Sequence, residues 1–236
     1  MPISVIDVFA GPGGLGEGFS SVVNSDRSRF FDIKLSIEKD KYAHTTLELR
    51  SFFRQFPIGE VPMGYYDLLK ITNKREWHKK KQSLFLQYKK EGDIAKNEAW
   101  NTTLGEVSEK ELDKRISSQI KKSKNWVLIG GPPCQAYSLV GRSRVGGINN
   151  LDHRVYLYRE YLRIIAAHKP TVFVMENVKG LLSAKLGEEK IFDKILSDLK
   201  NPSGVFPKQG KGCPDYKIYS LVTLPSNGLF LSLIHI

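Results

Sequence analysis

The sequence predicts an α/β fold built on a mostly parallel sheet, and three observations carry that prediction. Residues 3–9, 126–129 and 171–175 form short runs rich in β-branched and aromatic side chains, as strands buried on both faces require. Stretches with apolar residues at helical spacing separate them, and alternating strands and helices imply a parallel sheet with right-handed crossovers. Each run also passes at once into glycine or into residues suited to chemistry, which belong at the carboxyl edge of such a sheet.

In chain order, the first strand runs into a glycine-rich loop, and a further strand candidate at 32–37 ends at Glu38. Residues 40–56 read as a helix that stops before Pro57. From about 59 to 125 the chain is rich in Lys and Glu, with helical periodicity and no strand signal, so a mostly helical insertion is expected. Its lysines (Lys79, Lys80, Lys81, Lys89, Lys90, Lys121, Lys122, Lys124) fit either a DNA-facing or a solvated helix surface. Beyond the strand at 126–129, helices are predicted over 156–167 and 188–199, closed by Lys169-Pro170 and Asn201-Pro202. Residues 216–222 read as a last strand.

Composition narrows the class. The 236 residues make one domain, 1–236, and 41% hydrophobic with 26% charged residues excludes disordered and collagen-like chains. Two cysteines build no disulfide framework, which favours a reduced, cytoplasmic compartment. No apolar run approaches a membrane span, and the N-terminus lacks a signal-peptide pattern. The net charge of +11 points to a polyanionic partner, nucleic acid before membrane.

Three segments carry chemistry. The loop from Asp7 to Phe19 follows a strand and precedes a helix, and Gly11, Gly13 and Gly16 fit the pattern G-x-G-x-x-G. Glu38, ending the next strand, is placed to take two ribose hydroxyls. These features indicate a nucleoside cofactor and leave NAD and S-adenosylmethionine both open. Gly130-Gly131-Pro132-Pro133-Cys134-Gln135 puts a thiol on a rigid loop at the carboxyl edge, a candidate nucleophile. Cys213 reads as a small buried hydrophobe. Glu176-Asn177-Val178 ends the third strand, where poor solvation favours a raised pKa and a carboxyl that hydrogen-bonds or protonates a ring nitrogen.

Together, in this order, these motifs resemble the C5-cytosine DNA methyltransferases. The resemblance covers most of the chain, including 152–165, and is thin across the insertion. It implies a Rossmann-like S-adenosylmethionine-dependent methyltransferase fold and methyl transfer to C5 of a cytosine flipped out of double-stranded DNA. Cys134 and Glu176 become the catalytic pair, through a covalent Cys134–C6 adduct. Phe9, Ala10, Gly11, Gly13, Gly14, Leu15, Glu38, Lys39, Glu106 and Pro133 become the S-adenosyl-L-methionine site. For the acid that contacts the adenine, Gly92-Asp93-Ile94 matches by letter, while Gly105-Glu106-Val107 stands at the more usual distance before the Pro-Cys loop and is preferred. Gln135, Ser138, Arg142 and Arg144 become DNA contacts. No metal is expected, and the chain is read as a monomer within a restriction-modification system. The family's target-recognition domain and closing motifs have no counterpart here, so an incomplete catalytic domain is expected, with an RNA cytosine methyltransferase or an inactive binding fragment as the rival readings.

Overall fold

The computed structural model of the chain describes residues 1–121, 123–133, 157–177, 181, 185–186 and 189–221. A five-stranded, all-parallel sheet has the order β3-β2-β1-β4-β5, from β1 (Ile3–Val8), β2 (Phe31–Glu38), β3 (Ala99–Asn101), β4 (Trp126–Gly130) and β5 (Val172–Met175). The helices are α1 (Gly14–Ser20), α2 (Lys41–Arg54), α3 (Met63–Leu69), α4 (Lys74–Gln87), α5 (Lys89–Glu98), α6 (Glu109–Ile120), α7 (Leu157–His168), α8 (Ile191–Lys200) and α9 (Pro202–Val205). A small hairpin, β6 (Lys185–Leu186) and β7 (Glu189–Lys190), precedes α8. Among the described residues no helix is long and apolar enough to cross a membrane.

The period-2 alternation of the strands sorts their apolar side chains onto two covered faces. Ile6, Val8, Leu35, Ile37, Leu128 and Phe173 join α6, α7 and α8 in the larger core. Val5, Ile33, Val127, Ile129 and Val174 form the other face, under Leu15 and Phe19 of α1. The insertion builds its own core on the outer side of α2, where Phe52 stacks on Phe85 of α4 at 4.5 Å. Within it α3 and α4 pack on α2 and α5, while α5 and α6 also meet the sheet, and the Lys-rich sides of these helices stay in water.

Three expectations are corrected. The stretch 59–125 holds a strand, β3, which pairs in parallel with β2 through Ser36–Ala99 and Glu38–Asn101. Three residues are too few for a periodic signal, and the partner strand supplies their stability. The helix predicted from residue 188 begins at Ile191, because Glu189 and Lys190 pair with Leu186 and Lys185. Residues 216–221 join no strand: Tyr216 donates its amide to the Lys200 carbonyl (2.9 Å) and its hydroxyl to the Pro170 carbonyl (2.8 Å), with its ring against Phe173. The alternating apolar residues are used in packing, without a ladder.

β1 and β4 approach so closely at Val8 and Gly130 that a Cβ on Gly130 would overlap the Val8 carbonyl oxygen and crowd the Tyr161 ring. Gly130→Ala is expected to lower stability by about 3 kcal/mol or more in denaturant titration, since the obstacle is backbone and cannot swing away. A loss under about 1 kcal/mol would mean the two strands part easily at this point.

Candidate active site

The sheet order reverses direction at β1, which lies between β2 and β4, and the crevice at such a switch point is where open α/β sheets bind ligands. There a cavity of about 410 Å³ opens, large enough for a small ligand. One wall is Phe9, Ile37, Glu38, Lys39 and Asp40; the others are Thr102–Leu104, Gly131, Pro133 and Leu157.

The loop after β1 is shaped by unusual backbone. Phe9 adopts φ 55°, a conformation a bulky side chain takes at a cost and one that concentrates at binding sites. Gly13 begins α1 at φ 88°, and a Cβ there would lie 2.8 Å from Leu47 Cδ1. The loop is tied to β2 from both sides: the Ala10 amide donates to the Ile37 carbonyl (3.0 Å), and the Gly11 amide to Glu38 Oε2 (2.8 Å). The other Glu38 oxygen accepts from the Asp40 amide (2.7 Å). Asp40 in turn caps α2 by accepting from the Tyr42 and Ala43 amides at 3.0 and 2.8 Å. Asn101, ending β3, donates to the carbonyls of Glu38 (2.8 Å) and Lys39 (3.1 Å), which holds the acid-bearing turn from its third side. Glu38 is thus oriented by two amides, and each oxygen keeps a lone pair for a hydroxyl donor. A diol beside an apolar ring or chain fits this wall, because Phe9, Ile37, Leu104 and Leu157 supply the apolar remainder.

Of the residues predicted for a cofactor, Phe9, Glu38, Lys39 and Pro133 line the cavity. Ala10, Gly11, Gly13, Gly14 and Leu15 form the turn and the helix start behind it. Neither candidate for the adenine-contacting acid is in the wall: Glu106 is exposed in the turn before α6, and Asp93 is on the exposed side of α5, paired with Lys89. Glu176 follows β5, with its amide donating to the Gly130 carbonyl (2.9 Å) and Oε2 lying 2.9 Å from the position a Gly131 Cβ would take. It is exposed, which corrects the expectation of a poorly solvated carboxyl, because the strand ends one residue earlier and leaves the side chain beyond the core. Cys134, Gln135, Ser138, Arg142 and Arg144 lie outside the described residues. Asp40, Asn101 and Thr102–Leu104 went unpredicted; only Asp40 had a signal, as an acid directly before a helical run.

Beneath the loop lies a buried ionic cluster. Arg54 pairs with Glu17 of α1 and Glu98 of α5. Burial works against its charge, but the two carboxylates hold its pKa above the ordinary value. Burial raises the pKa of Glu98 despite the opposing pull of Arg54. Asp7 is fully buried on β1, its oxygens make no hydrogen bond of good geometry among the described residues, and burial pushes its carboxyl up to about 8. Asp7 is therefore protonated in the folded chain at neutral pH. The stability tied to that proton is present below the ordinary carboxylate pKa of 3.8 and is lost as pH rises towards about 8. Asp7→Asn keeps the shape without the titration. Its stability relative to wild type, followed by thermal unfolding, is expected to grow from about pH 4 to about pH 8, by up to ~1.4 kcal/mol per unit, and then to level off. A difference that stays constant over that range would contradict a protonated Asp7.

A five-stranded parallel sheet, with a glycine loop after the first strand and an acid at the end of the second, defines a Rossmann-like methyltransferase fold. The chain belongs to the C-5 cytosine-specific DNA methylase family, whose model matches residues 80–202, just over half of its length. It is 34% identical over 202 residues to the type II methyltransferase M.Bpa9945I of Bacillus paralicheniformis, covering 81% of this chain and 43% of that protein. It is 36% identical over 92 residues to M.AquIA of a Picosynechococcus species (39% and 35% of the two chains) and 43% identical over 86 residues to M.FnuDI of Fusobacterium nucleatum (36% and 23%). The matched segment thus spans less than half the length of each of these curated relatives.

Proposed function

We propose that this chain carries the cofactor-binding and catalytic portion of a DNA (cytosine-5)-methyltransferase of a type II restriction-modification system. One observation carries the reading: a single cavity at the carboxyl edge has Glu38 in one wall and Gly131 and Pro133, the last of these next to Cys134, in another. That arrangement lets a nucleoside held by Glu38 meet a nucleophile entering from the adjacent loop. The relatives, named as type II methyltransferases, support the same class.

In this reading Glu38 accepts hydrogen bonds from the ribose hydroxyls of S-adenosylmethionine, and Phe9, Ile37 and Leu104 face its apolar surfaces. When bound, S-adenosylmethionine supplies a methyl group made electrophilic by its positive sulfur. The target cytosine leaves the duplex, since stacking otherwise blocks its C6 face. Cys134, as thiolate, bonds to C6, and Glu176 hydrogen-bonds or protonates N3 so that the ring accepts the electron pair. C5 becomes nucleophilic and would take the methyl group as its bond to sulfur breaks, leaving neutral S-adenosylhomocysteine. The C5 proton then passes to water, and its electron pair forms the C5–C6 double bond and expels the Cys134 thiolate. Glu176, exposed at the strand end, is free to reach a base that enters from solvent. Gln135, Ser138, Arg142 and Arg144 are proposed to hold the DNA around that base.

Calorimetry with S-adenosylmethionine and the 236-residue chain tests the first half of the reading. Stoichiometric binding is expected, and Glu38→Gln should weaken it by about tenfold or more, the worth of a charge-assisted hydrogen bond. A folded chain with no affinity would overturn the cofactor assignment. Trapping on duplex DNA containing 5-fluorocytosine tests the second half. An adduct is expected with wild type and none with Cys134→Ser; an adduct formed by the serine variant would refute Cys134 as nucleophile.

A further inference from the structure

A second concavity lies outside the site just described. It has a volume of about 630 Å³ and sits between the first turns of α2 and the start of α4, with Lys41 and Tyr42 on one side and Lys74, Trp77 and His78 on the other. Among the described residues no carboxylate lines it. Tyr42 is 72% exposed, an unusual state for a large aromatic residue, and Lys74 Nζ stands 4.9 Å from its ring centroid. Along α4 the row continues through Arg75, Lys79 and Lys80, interrupted by one acid, the exposed Glu76; the three cations are exposed and, like Lys41, without an ion pair among the described residues. Lys81 differs: it is half-buried between Glu48 and the rings of Trp77 and Phe85, so it is spent on holding α4 to α2. The row is thus divided between one lysine used in packing and several left free.

Position along the fold gives this surface its meaning. Lys41 follows Asp40, which lines the active-site cavity, so the groove opens at the same carboxyl edge of the sheet, one residue along α2. We propose that this groove and the adjoining face of α4 bind the phosphodiester backbone of duplex DNA beside the target base. The inference rests on the reading of the chain as a DNA methylase. Lys41, Lys74, Lys79 and Lys80 supply the cations and Tyr42 a flat, exposed platform with a hydroxyl donor. Contacts of this kind carry no base sequence; they set affinity and the register of the duplex. They also give the chain a hold on DNA that is independent of residues 134–156.

The test is fluorescence anisotropy of a labelled duplex of random sequence with the full 236-residue chain, over a series of salt concentrations. The triple variant Lys74→Ala/Lys79→Ala/Lys80→Ala should bind at least tenfold more weakly at low salt. Its slope of log K against log salt should be shallower by roughly 0.9 for each phosphate contact removed. Lys110→Ala/Lys114→Ala, on α6 at the opposite face of the sheet, removes charge elsewhere and should leave the slope unchanged. Wild type that binds no duplex at low salt, a triple variant with an unaltered slope, or equal losses in both variants would each overturn the inference. S-adenosylmethionine affinity, measured on the same triple variant, should stay at the wild-type value, so a failure of the groove and a failure of the cofactor reading give different results.

Discussion

Arg54 stands where four elements meet, and the placement of the cavity depends on it. Its guanidinium joins α2 to Glu17 of α1 and to Glu98 of α5, close to Asp7 of β1. A buried arginine of this kind is stable only while its carboxylates stay in place, and removal of one partner from such a set costs about 3–5 kcal/mol. The cluster holds three acids and one base, and it tolerates that imbalance because burial keeps Asp7 protonated. The charges left are those of Arg54 and its two direct partners. The glycine loop is thereby pinned from below, through β1 and α1, while Glu38 pins it from the side.

The same contact explains why α3, α4 and α5 matter to a site whose wall they do not line. α5 passes directly into β3, and β3 brings Asn101 to the turn at Glu38 and leads into Thr102–Leu104 in the cavity wall. α2 carries Asp40 at its first turn and Arg54 at its last, so the helix spans from the cavity edge to the ionic cluster. The insertion packs on the outer side of α2 through Phe52 and Phe85. A shift of these helices would therefore be felt at both ends of α2, and at Glu38 through Asp40.

Much of the fold was legible. β1, β2, β4 and β5 announce themselves because strands buried on two faces need dense β-branched and aromatic side chains. β3 was not legible, since three residues acquire strand geometry only from β2 beside them. Residues 216–221 misled because alternation marks burial on one side, and here Tyr216 and Ile218 meet the core without a neighbouring strand. Phe9, Glu38, Lys39 and Pro133 line one cavity because each sits at or shortly after the end of a strand, where the chain must leave the sheet at its carboxyl edge.

By itself the sequence determined β1, β2, β4 and β5, the edge on which they end, the glycine turn and the order of the chemical motifs, because all of these are set by side-chain type and spacing within short segments. Tertiary structure alone decided that Asn101 holds the turn bearing Glu38, that Thr102–Leu104 complete the wall, and that Asp7 loses its charge. Those outcomes depend on approach between residues far apart in the chain, 63 positions for Asn101 and Glu38, and on the exclusion of water once the layers close. Neither is a property of any local stretch of chain.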